Sequence, residues 1–233
     1  MPDASLASVR IDRVPLVVAV SGRFGKYRPE EERDVRKVAV EKDQVLEQLK
    51  AAWKRYDCDV CKFLPKELYQ IALKQVKGLV YSAKDVEKFS LALAEFQDEE
   101  WFSLKAGYFL SALINNGRES EYTIHTRHLG QKIDELGHGN TKNITVNGDV
   151  GRTVGHEMKG GTIHVEGDMD GNAGWAMEGG TIILEGNAGP AVRWLMAGGE
   201  IHLNGGYKSI SKDPDGGKIY HKGKLIWDAD THD

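Results

Sequence analysis

The sequence predicts a mixed α and β protein, with a mainly helical module over residues 1–121 and a parallel β-helix with 19-residue coils over residues 122–233. Two observations predict it. Glycine is concentrated in the second part, because five of the 27 glycines lie in residues 1–120 and the other 22 follow. The second part also repeats itself, since "GGTIHVEGDMDGNAGWAME" is followed directly by "GGTIILEGNAGPAVRWLMA".

Residues 43–117 have the apolar periodicity of about four amphipathic helices. The second of these begins at Pro65, and the third begins at Ser82, which lies three residues before Asp85 in the spacing of a capping box. The last ends at Asn116 and Gly117, a common pair at a helix C-terminus. Two apolar segments near the N-terminus, "VPLVVAV" and "VRKVAV", are predicted to be short strands.

Isoleucine marks the period of the repeat. It recurs at 19-residue intervals and once more after 18, at Ile144, Ile163, Ile182, Ile201 and Ile219. Each unit alternates apolar and polar residues, as in "GTIHVEG", which is typical of a strand with one buried face. A constant period predicts coils stacked in register at a rise of about 4.8 Å, with isoleucine over isoleucine.

A single coil is not stable alone. It buries about three apolar side chains, which contributes about 5–9 kcal/mol. Ordering its 19 backbone positions costs on the order of 20–40 kcal/mol. Each coil therefore needs neighbours on both sides, and the first and last coils must be covered by other parts of the chain.

The repeated glycine pairs, the Ile-x-Val pattern and the methionine that follows resemble the GXGXG β-helix domain, and "IHTRHLG" at residues 124–130 resembles its leading segment. That domain ends the large subunit of glutamate synthase and forms the core of one of the subunits of formylmethanofuran dehydrogenase. The resemblance covers about residues 122–227. It implies a right-handed β-helix that packs against catalytic modules and holds no substrate itself.

Composition excludes several classes of function. A net charge of −4 gives no electrostatic basis for binding nucleic acid or an anionic membrane. The longest apolar run, "VPLVVAV", is too short to span a bilayer and lacks the features of a signal peptide. The two cysteines offer no disulfide framework, so we expect a cytoplasmic protein.

The pair Cys58 and Cys61 is the sharpest chemical candidate. A Cys-x-x-Cys pair can cycle as a disulfide or supply half of a zinc site. No second pair or nearby histidine completes a zinc site, and the strand–helix setting of a thioredoxin domain is missing. Packing cysteines, a redox pair and a metal site all remain open.

Four further patterns in the repeat carry weaker signals. Asp168, Asp170 and Asn172 have the spacing of calcium ligands, but Ala173 and Gly179 occupy the positions of the turn glycine and the bidentate acid. His164 and His202 share an outward column but lie two rungs apart, and Glu166 and Glu185 lie one rung apart. "GDVGRTVG" lacks the following helix of a dinucleotide site. We interpret all four as structural.

The sequence thus predicts a non-catalytic structural or interaction protein with no metal and no cofactor. It is expected to self-associate or to dock onto a redox-enzyme partner. The alternative hypothesis is a small redox protein or enzyme whose site lies in the N-terminal half or at the junction of the two halves.

Overall fold

A computed structural model describes residues 43–59, 62, 64–192, 195–211 and 216–231. The predicted strands "VPLVVAV" and "VRKVAV" lie outside the described residues, and so does Cys61. The described helices and strands belong to one compact unit.

Four helices form the first half, as the periodicity predicts: α1 (Gln44–Arg55), α2 (Pro65–Val76), α3 (Ala83–Ala92) and α4 (Phe102–Asn116). A 3-10 turn at Leu93–Phe96 continues α3. The predicted capping box of α3 is present, because Ser82 Oγ accepts from the amide of Asp85 while Asp85 Oδ2 accepts from the amide of Ser82. These reciprocal bonds satisfy two amides that the helix itself leaves without partners.

The helices pack around the buried indole of Trp53. Its ring centroid lies within about 6 Å of four phenylalanine rings, those of Phe89, Phe96, Phe102 and Phe109. Lys105 Nζ lies 4.4 Å from the same centroid and 2.8 Å from Glu99 Oε2, so this buried cation has both an aromatic and an ionic partner.

The second half is a parallel β-solenoid of about five turns, as the repeat predicts. Its main sheet holds seven strands in the order β1 (Glu121–His125), β2 (Asn143–Asn147), β4 (Thr162–Val165), β6 (Thr181–Leu184), β7 (Glu200–Leu203), β8 (Lys218–His221) and β9 (Lys224–Asp228). A second sheet pairs β3 (Val150–Arg152) with β5 (Met169–Gly171). All pairings among these described strands are parallel except that of β8 with β9.

The isoleucines are stacked in one column, which confirms the predicted register. Ile163 pairs with Ile182, and Ile182 pairs with Ile201, on neighbouring rungs of the main sheet. The column continues to Ile144 on one side and Ile219 on the other, and all five side chains are buried. Met158, Met177 and Met196 are buried as well, so the repeated apolar residues fill the inside of the coil.

A polar ladder holds one corner of the coil from outside. Asp149 Oδ1 accepts from the amide of Asp168, and Asp168 Oδ1 accepts from the amide of Asn187. Asn187 Oδ1 in turn accepts from the amide of Gly206. The same side-chain position thus bonds the backbone of the next coil three times, which links successive rungs without burying a charge.

Both ends of the main sheet are covered. Helix α3 packs on β1, where Ser90 Oγ accepts from the amide of His125 and Glu87 Oε1 lies 2.9 Å from His125 Nε2. Strand β9 turns back antiparallel onto β8 and covers the last rung. None of the described helices combines the length and the apolar character that crossing a bilayer requires.

Candidate metal centre between two coils

Three side chains with metal-ligating atoms meet where the helices contact the first coils. Glu135 and His138 lie in the segment between β1 and β2, and His156 lies in the turn after β3. Glu135 Oε2 is 2.8 Å from His156 Nδ1 and 3.8 Å from His138 Nδ1. One ligand atom from each residue can be chosen so that all three lie within 4.8 Å of one another.

The backbone ladder at this corner brings the two imidazoles together. The amide of Gly139 donates to the carbonyl of His156 at 2.8 Å, and the amide of Glu157 donates to the carbonyl of Trp175 at 2.9 Å. The rings of His138, His156 and Trp175 therefore lie on three successive rungs. Their centroids are 4.8 Å apart for the histidine pair and 5.1 Å apart for the stacked His156 and Trp175.

A glycine with a left-handed backbone conformation comes directly before each of these three ring-bearing residues. Gly137, Gly155 and Gly174 precede the three aromatic residues and have φ of 79°, 71° and 65°, in the left-handed region that favours glycine. Space is limited as well, since a Cβ at Gly155 would lie 2.6 Å from Cδ1 of Ile182. The turn that presents His156 is therefore tied to the isoleucine column in the core.

Helix α4 holds the segment that carries Glu135 and His138. Ser111 Oγ accepts from the amides of Gly137 and His138 at 2.9 and 3.1 Å. Its one proton is shared between the carbonyls of Gly107 at 2.7 Å and Glu135 at 3.2 Å. One turn further along α4, Asn115 Nδ2 donates to the carbonyl of His138 at 2.9 Å. Side chains of α4 thus hold the backbone of both ligand-bearing residues.

Aromatic rings surround His138, whose exposed fraction is 4%. The rings of Tyr69 and Tyr108 lie 4.5 and 5.3 Å from its imidazole, centroid to centroid. Its Nδ1 atom has no hydrogen-bond partner among the described residues, and neither has the buried hydroxyl of Tyr108. An uncompensated buried polar atom is costly, so these atoms mark a place where a ligand would stabilise the protein.

Glu135 and His156 form an ion pair in the folded protein. Burial disfavours ionisation of Glu135, but the hydrogen bonds and charges of His138 and His156 together outweigh it and lower the pKa of the carboxyl. Burial likewise disfavours the imidazolium of His156, but the hydrogen bond to Glu135 and the charges of Glu135 and Glu157 outweigh it and raise its pKa. Burial raises the pKa of Tyr108, which stays neutral beside them.

A second carboxylate faces the opposite side of both rings. Glu157 Oε2 lies 3.9 Å from His138 Nε2, and Glu157 Oε1 lies 4.0 Å from His156 Nε2. Its side chain is 47% exposed, whereas that of Glu135 is 10% exposed. Each imidazole therefore has a buried carboxylate on its Nδ1 side and a half-exposed carboxylate on its Nε2 side.

Two imidazoles and a carboxylate are the donors that zinc and neighbouring divalent transition metals bind. Ligands of one tetrahedral ion lie about 3.3 Å apart when the bonds are about 2.0–2.1 Å long. The four nitrogen–oxygen distances of 2.8–4.0 Å bracket this separation. Small side-chain shifts are enough to admit an ion among Glu135, His138 and His156.

The structure describes one of the two cysteines that form the redox candidate. Cys58 is a free, buried thiol with an exposed fraction of 6%, while Cys61 lies outside the described residues. Burial raises the pKa of Cys58 despite the opposing effects of Tyr56 and Lys105. Since the thiolate is the reactive form, this environment lowers the reactivity of Cys58.

The weaker candidates have separate partners. Asp168 bonds Asn187, Asp170 bonds Lys132, and His164 bonds Glu185 at 2.9 Å. His202 bonds Glu200 instead and is two rungs from His164, with Ile183 between them. Asn204 and His164 lower the pKa of Glu185, so it does not behave as half of a carboxylate pair with Glu166.

The "GDVGRTVG" stretch, residues 148–155, forms β3 and begins the turn at 154–157 that carries His156. Sequence reasoning missed the cluster, because the only histidine pair it considered lies in an outward column of the main sheet. A signal was present: Gly-His occurs at 137–138 and again at 155–156, and Gly-Trp follows at 174–175. The first interval is 18 residues, one less than the period, which hid the column.

Comparison of the chain with protein-family models, with curated proteins and with solved structures gave no match.

Proposed function

We propose that this chain is a metal-binding protein that takes a divalent transition-metal ion, of the Zn²⁺ class, through His138, His156 and a flanking glutamate. The observation that supports the proposal is the convergence of both imidazoles and the Glu135 carboxylate from two consecutive coils. The donor set favours Zn²⁺, Co²⁺ or Ni²⁺ over Mg²⁺ or Ca²⁺, which prefer oxygen ligands.

The position of the ion gives it a structural effect as well. Its ligands come from the coil held by α4 and from the next coil, so an ion at this site joins the helix-bound segment to the solenoid. Binding to the folded state alone stabilises that state, by about 2.7 kcal/mol when the free metal is at 100 times its dissociation constant. We expect the melting temperature to rise with Zn²⁺ concentration.

Metal-stripped protein titrated with Zn²⁺ in a calorimeter tests the proposal. We expect one ion per chain, and we expect H156Q and H138Q to lose binding. H164A and H202A are matched controls, because they remove surface histidines that have separate partners, and we expect wild-type affinity from them. Far-UV circular dichroism shows whether each variant is folded. Absence of Zn²⁺, Co²⁺ and Ni²⁺ binding by the folded wild type would overturn the proposal.

The outward face of the main sheet supports a second candidate function, self-association, in keeping with the docking role that the GXGXG resemblance implies. Exposed charge changes sign along one outward column of this face, from Glu166 and Glu185 on earlier rungs to Lys222 on the last. Two copies related by a two-fold axis would place the acidic rungs of one against the basic rungs of the other.

Sedimentation of the purified chain tests this second function. We expect a dimer for the wild type and a monomer for E185K, because like charges then meet across the axis. The swapped variant E185K/K222E restores the charge match and should dimerise again. A wild type that stays monomeric at all concentrations contradicts self-association and leaves the metal proposal untouched.

A further inference from the structure

We propose that the cavity between the start of α1, the start of α3 and the end of α4 binds a small apolar α-amino acid, whose ammonium group is held by Glu119 and whose carboxylate is held by Arg118. This inference goes beyond the metal proposal and does not depend on it, because no residue of the metal cluster lines the cavity.

The cavity has the size and the mixed lining of a small-molecule site. Its volume is about 400 Å³, within the range of about 300–1,000 Å³ that is usual for ligand pockets. Val45, Leu79 and Val80 form an apolar wall, on which Val80 is 75% exposed. An apolar side chain of a ligand would cover this wall and remove it from water.

Glu119 is the acid in this cavity that lacks a hydrogen-bond donor. Its Oε2 atom is buried and has no partner among the described residues. Asp85, the other acidic residue among the described lining residues, is already engaged, because its Oδ2 atom accepts from the amide and the hydroxyl of Ser82. A buried carboxylate oxygen without a donor is costly, so a donor supplied by a ligand would stabilise it.

The hydroxyl of Tyr122 is a second polar atom without a partner at the same place. It is buried and lies against Gly117, which lines the cavity and whose added Cβ would overlap the hydroxyl oxygen. Burial and the charge of Glu119 raise the pKa of Tyr122 despite the opposing effect of the Glu119 backbone, so the hydroxyl is close to this glutamate. An ammonium group carries three N–H donors, enough for both oxygens.

The C-terminal end of α4 also favours a cation. Asn116 and Gly117 line the cavity, so this 15-residue helix ends at its wall. A helix C-terminus carries partial negative charge, and no basic residue in the last turn of α4 offsets it. The helix end and Glu119 therefore attract the same positively charged group.

Arg118 supplies the opposite charge beside Glu119. It is exposed, and it is the only cation among the described residues that line the cavity. A guanidinium group binds a carboxylate through two parallel hydrogen bonds. An apolar α-amino acid carries an ammonium group, a carboxylate and an apolar side chain on one carbon, which matches Glu119, Arg118 and the apolar wall.

Calorimetric titration of the full chain with leucine, in chelator, tests the assignment. N-acetylleucine lacks the ammonium charge and 3-methylbutylamine lacks the carboxylate, while both keep the side chain of leucine. We expect leucine to bind most tightly. N-acetylleucine should bind at least about 10-fold more weakly, because Glu119 loses a charged donor. The amine should bind about 2–5-fold more weakly, because the exposed Arg118 contributes less.

Four variants assign the groups. E119Q should lower the leucine affinity at least about 10-fold, and E178Q, which changes an exposed carboxylate on the solenoid, should leave it unchanged. R118Q should weaken leucine to the level of 3-methylbutylamine without affecting the amine. V80D changes an exposed side chain, so we expect it to fold normally and to bind leucine more weakly. Far-UV circular dichroism shows whether each variant is folded.

Several results would overturn the assignment: no binding of leucine by the wild type, equal affinities for leucine and N-acetylleucine, or wild-type leucine affinity in folded E119Q, R118Q or V80D. Each of these leaves metal binding by the histidines standing. Conversely, a wild type that binds leucine but no Zn²⁺ contradicts the metal proposal alone.

Discussion

The Nδ1 atom of His156 lies 2.8 Å from Oε2 of Glu135, although the two residues are 21 positions apart in the chain. The pair is shielded from water, and its two pKa shifts have opposite signs: that of His156 is raised and that of Glu135 is lowered. His138 Nδ1 faces Glu135 at 3.8 Å, Glu157 faces His156 Nε2 at 4.0 Å, and Tyr108 beside them stays neutral.

We therefore expect the pair to stabilise the metal-free protein most between about pH 4.5 and 6.5, the ordinary pKa values of the two groups. The raised pKa of His156 contributes stability that is complete below about 6.5 and is lost as the pH rises through its folded value. The lowered pKa of Glu135 contributes stability that is complete above about 4.5 and is lost as the pH falls through its folded value.

Urea unfolding of wild type, E135Q, H156Q and the double variant, in chelator and at pH values below, inside and above the window, measures this coupling. The double-mutant cycle separates the pair from the effects of His138 and Glu157. A coupling that does not change with pH would contradict the ion pair.

The solenoid and the four helices could be predicted because their signals are repeated. The same isoleucine spacing recurs in every coil, and the apolar residues of each helix follow the same helical period. The cluster of Glu135, His138 and His156 has no such redundancy. It depends on the hydrogen bonds by which Ser111 of α4 holds a single irregular coil. It also depends on an 18-residue interval between His138 and His156, where the period of the repeat is 19.

The backbone conformation at the corners of the coil also could not be predicted in full from the sequence. Glycines account for part of the corners, but Thr153, Asn172 and Ala191 also have φ near 60°, and so do Glu157, Ala176 and Leu195. These two columns recur at the period of the coil, so the stacked neighbours impose the conformation. Except at Asn172, single-residue preferences disfavour it, and no local pattern in the sequence predicts it.

Cys58 should react slowly with a thiol reagent in the folded protein. Its exposed fraction is 6%, and burial raises its pKa, so both access and thiolate formation are reduced. In a C61S variant, where Cys58 is the one remaining thiol, we expect labelling at least about 10-fold slower than in denaturant. Labelling as fast as in denaturant would contradict this and would favour the redox hypothesis.

The register of the main sheet predicts unequal effects for two adjacent isoleucines. Ile182 points into the coil between Ile163 and Ile201, so I182A should lower the free energy of unfolding by about 2–5 kcal/mol. Ile183 points outward between His164 and His202, so I183A should cost less than about 1 kcal/mol. Chemical denaturation of both variants measures the difference, and equal losses would contradict the register.

Gly155 links the core to the metal centre, and G155A tests that link. An alanine there has φ near 71° and places its Cβ 2.6 Å from Cδ1 of Ile182, so we expect a loss of about 2–4 kcal/mol. Gly160 is the matched control, since it has no positive φ and nothing within 4 Å of an added Cβ. G160A should be neutral or slightly stabilising, by about 0.4–1 kcal/mol.

Shortening the isoleucine separates the two causes of that loss. I182V removes the Cδ1 atom that an alanine at position 155 would meet, so G155A and I182V should be less than additive in a double-mutant cycle. The left-handed backbone penalty remains in the double variant, so rescue should be partial. Because position 155 sets the direction of the His156 ring, G155A should also weaken Zn²⁺ binding, and I182V should restore part of that affinity. Strict additivity in stability, with no change in metal affinity, would show that the turn and the isoleucine column are independent.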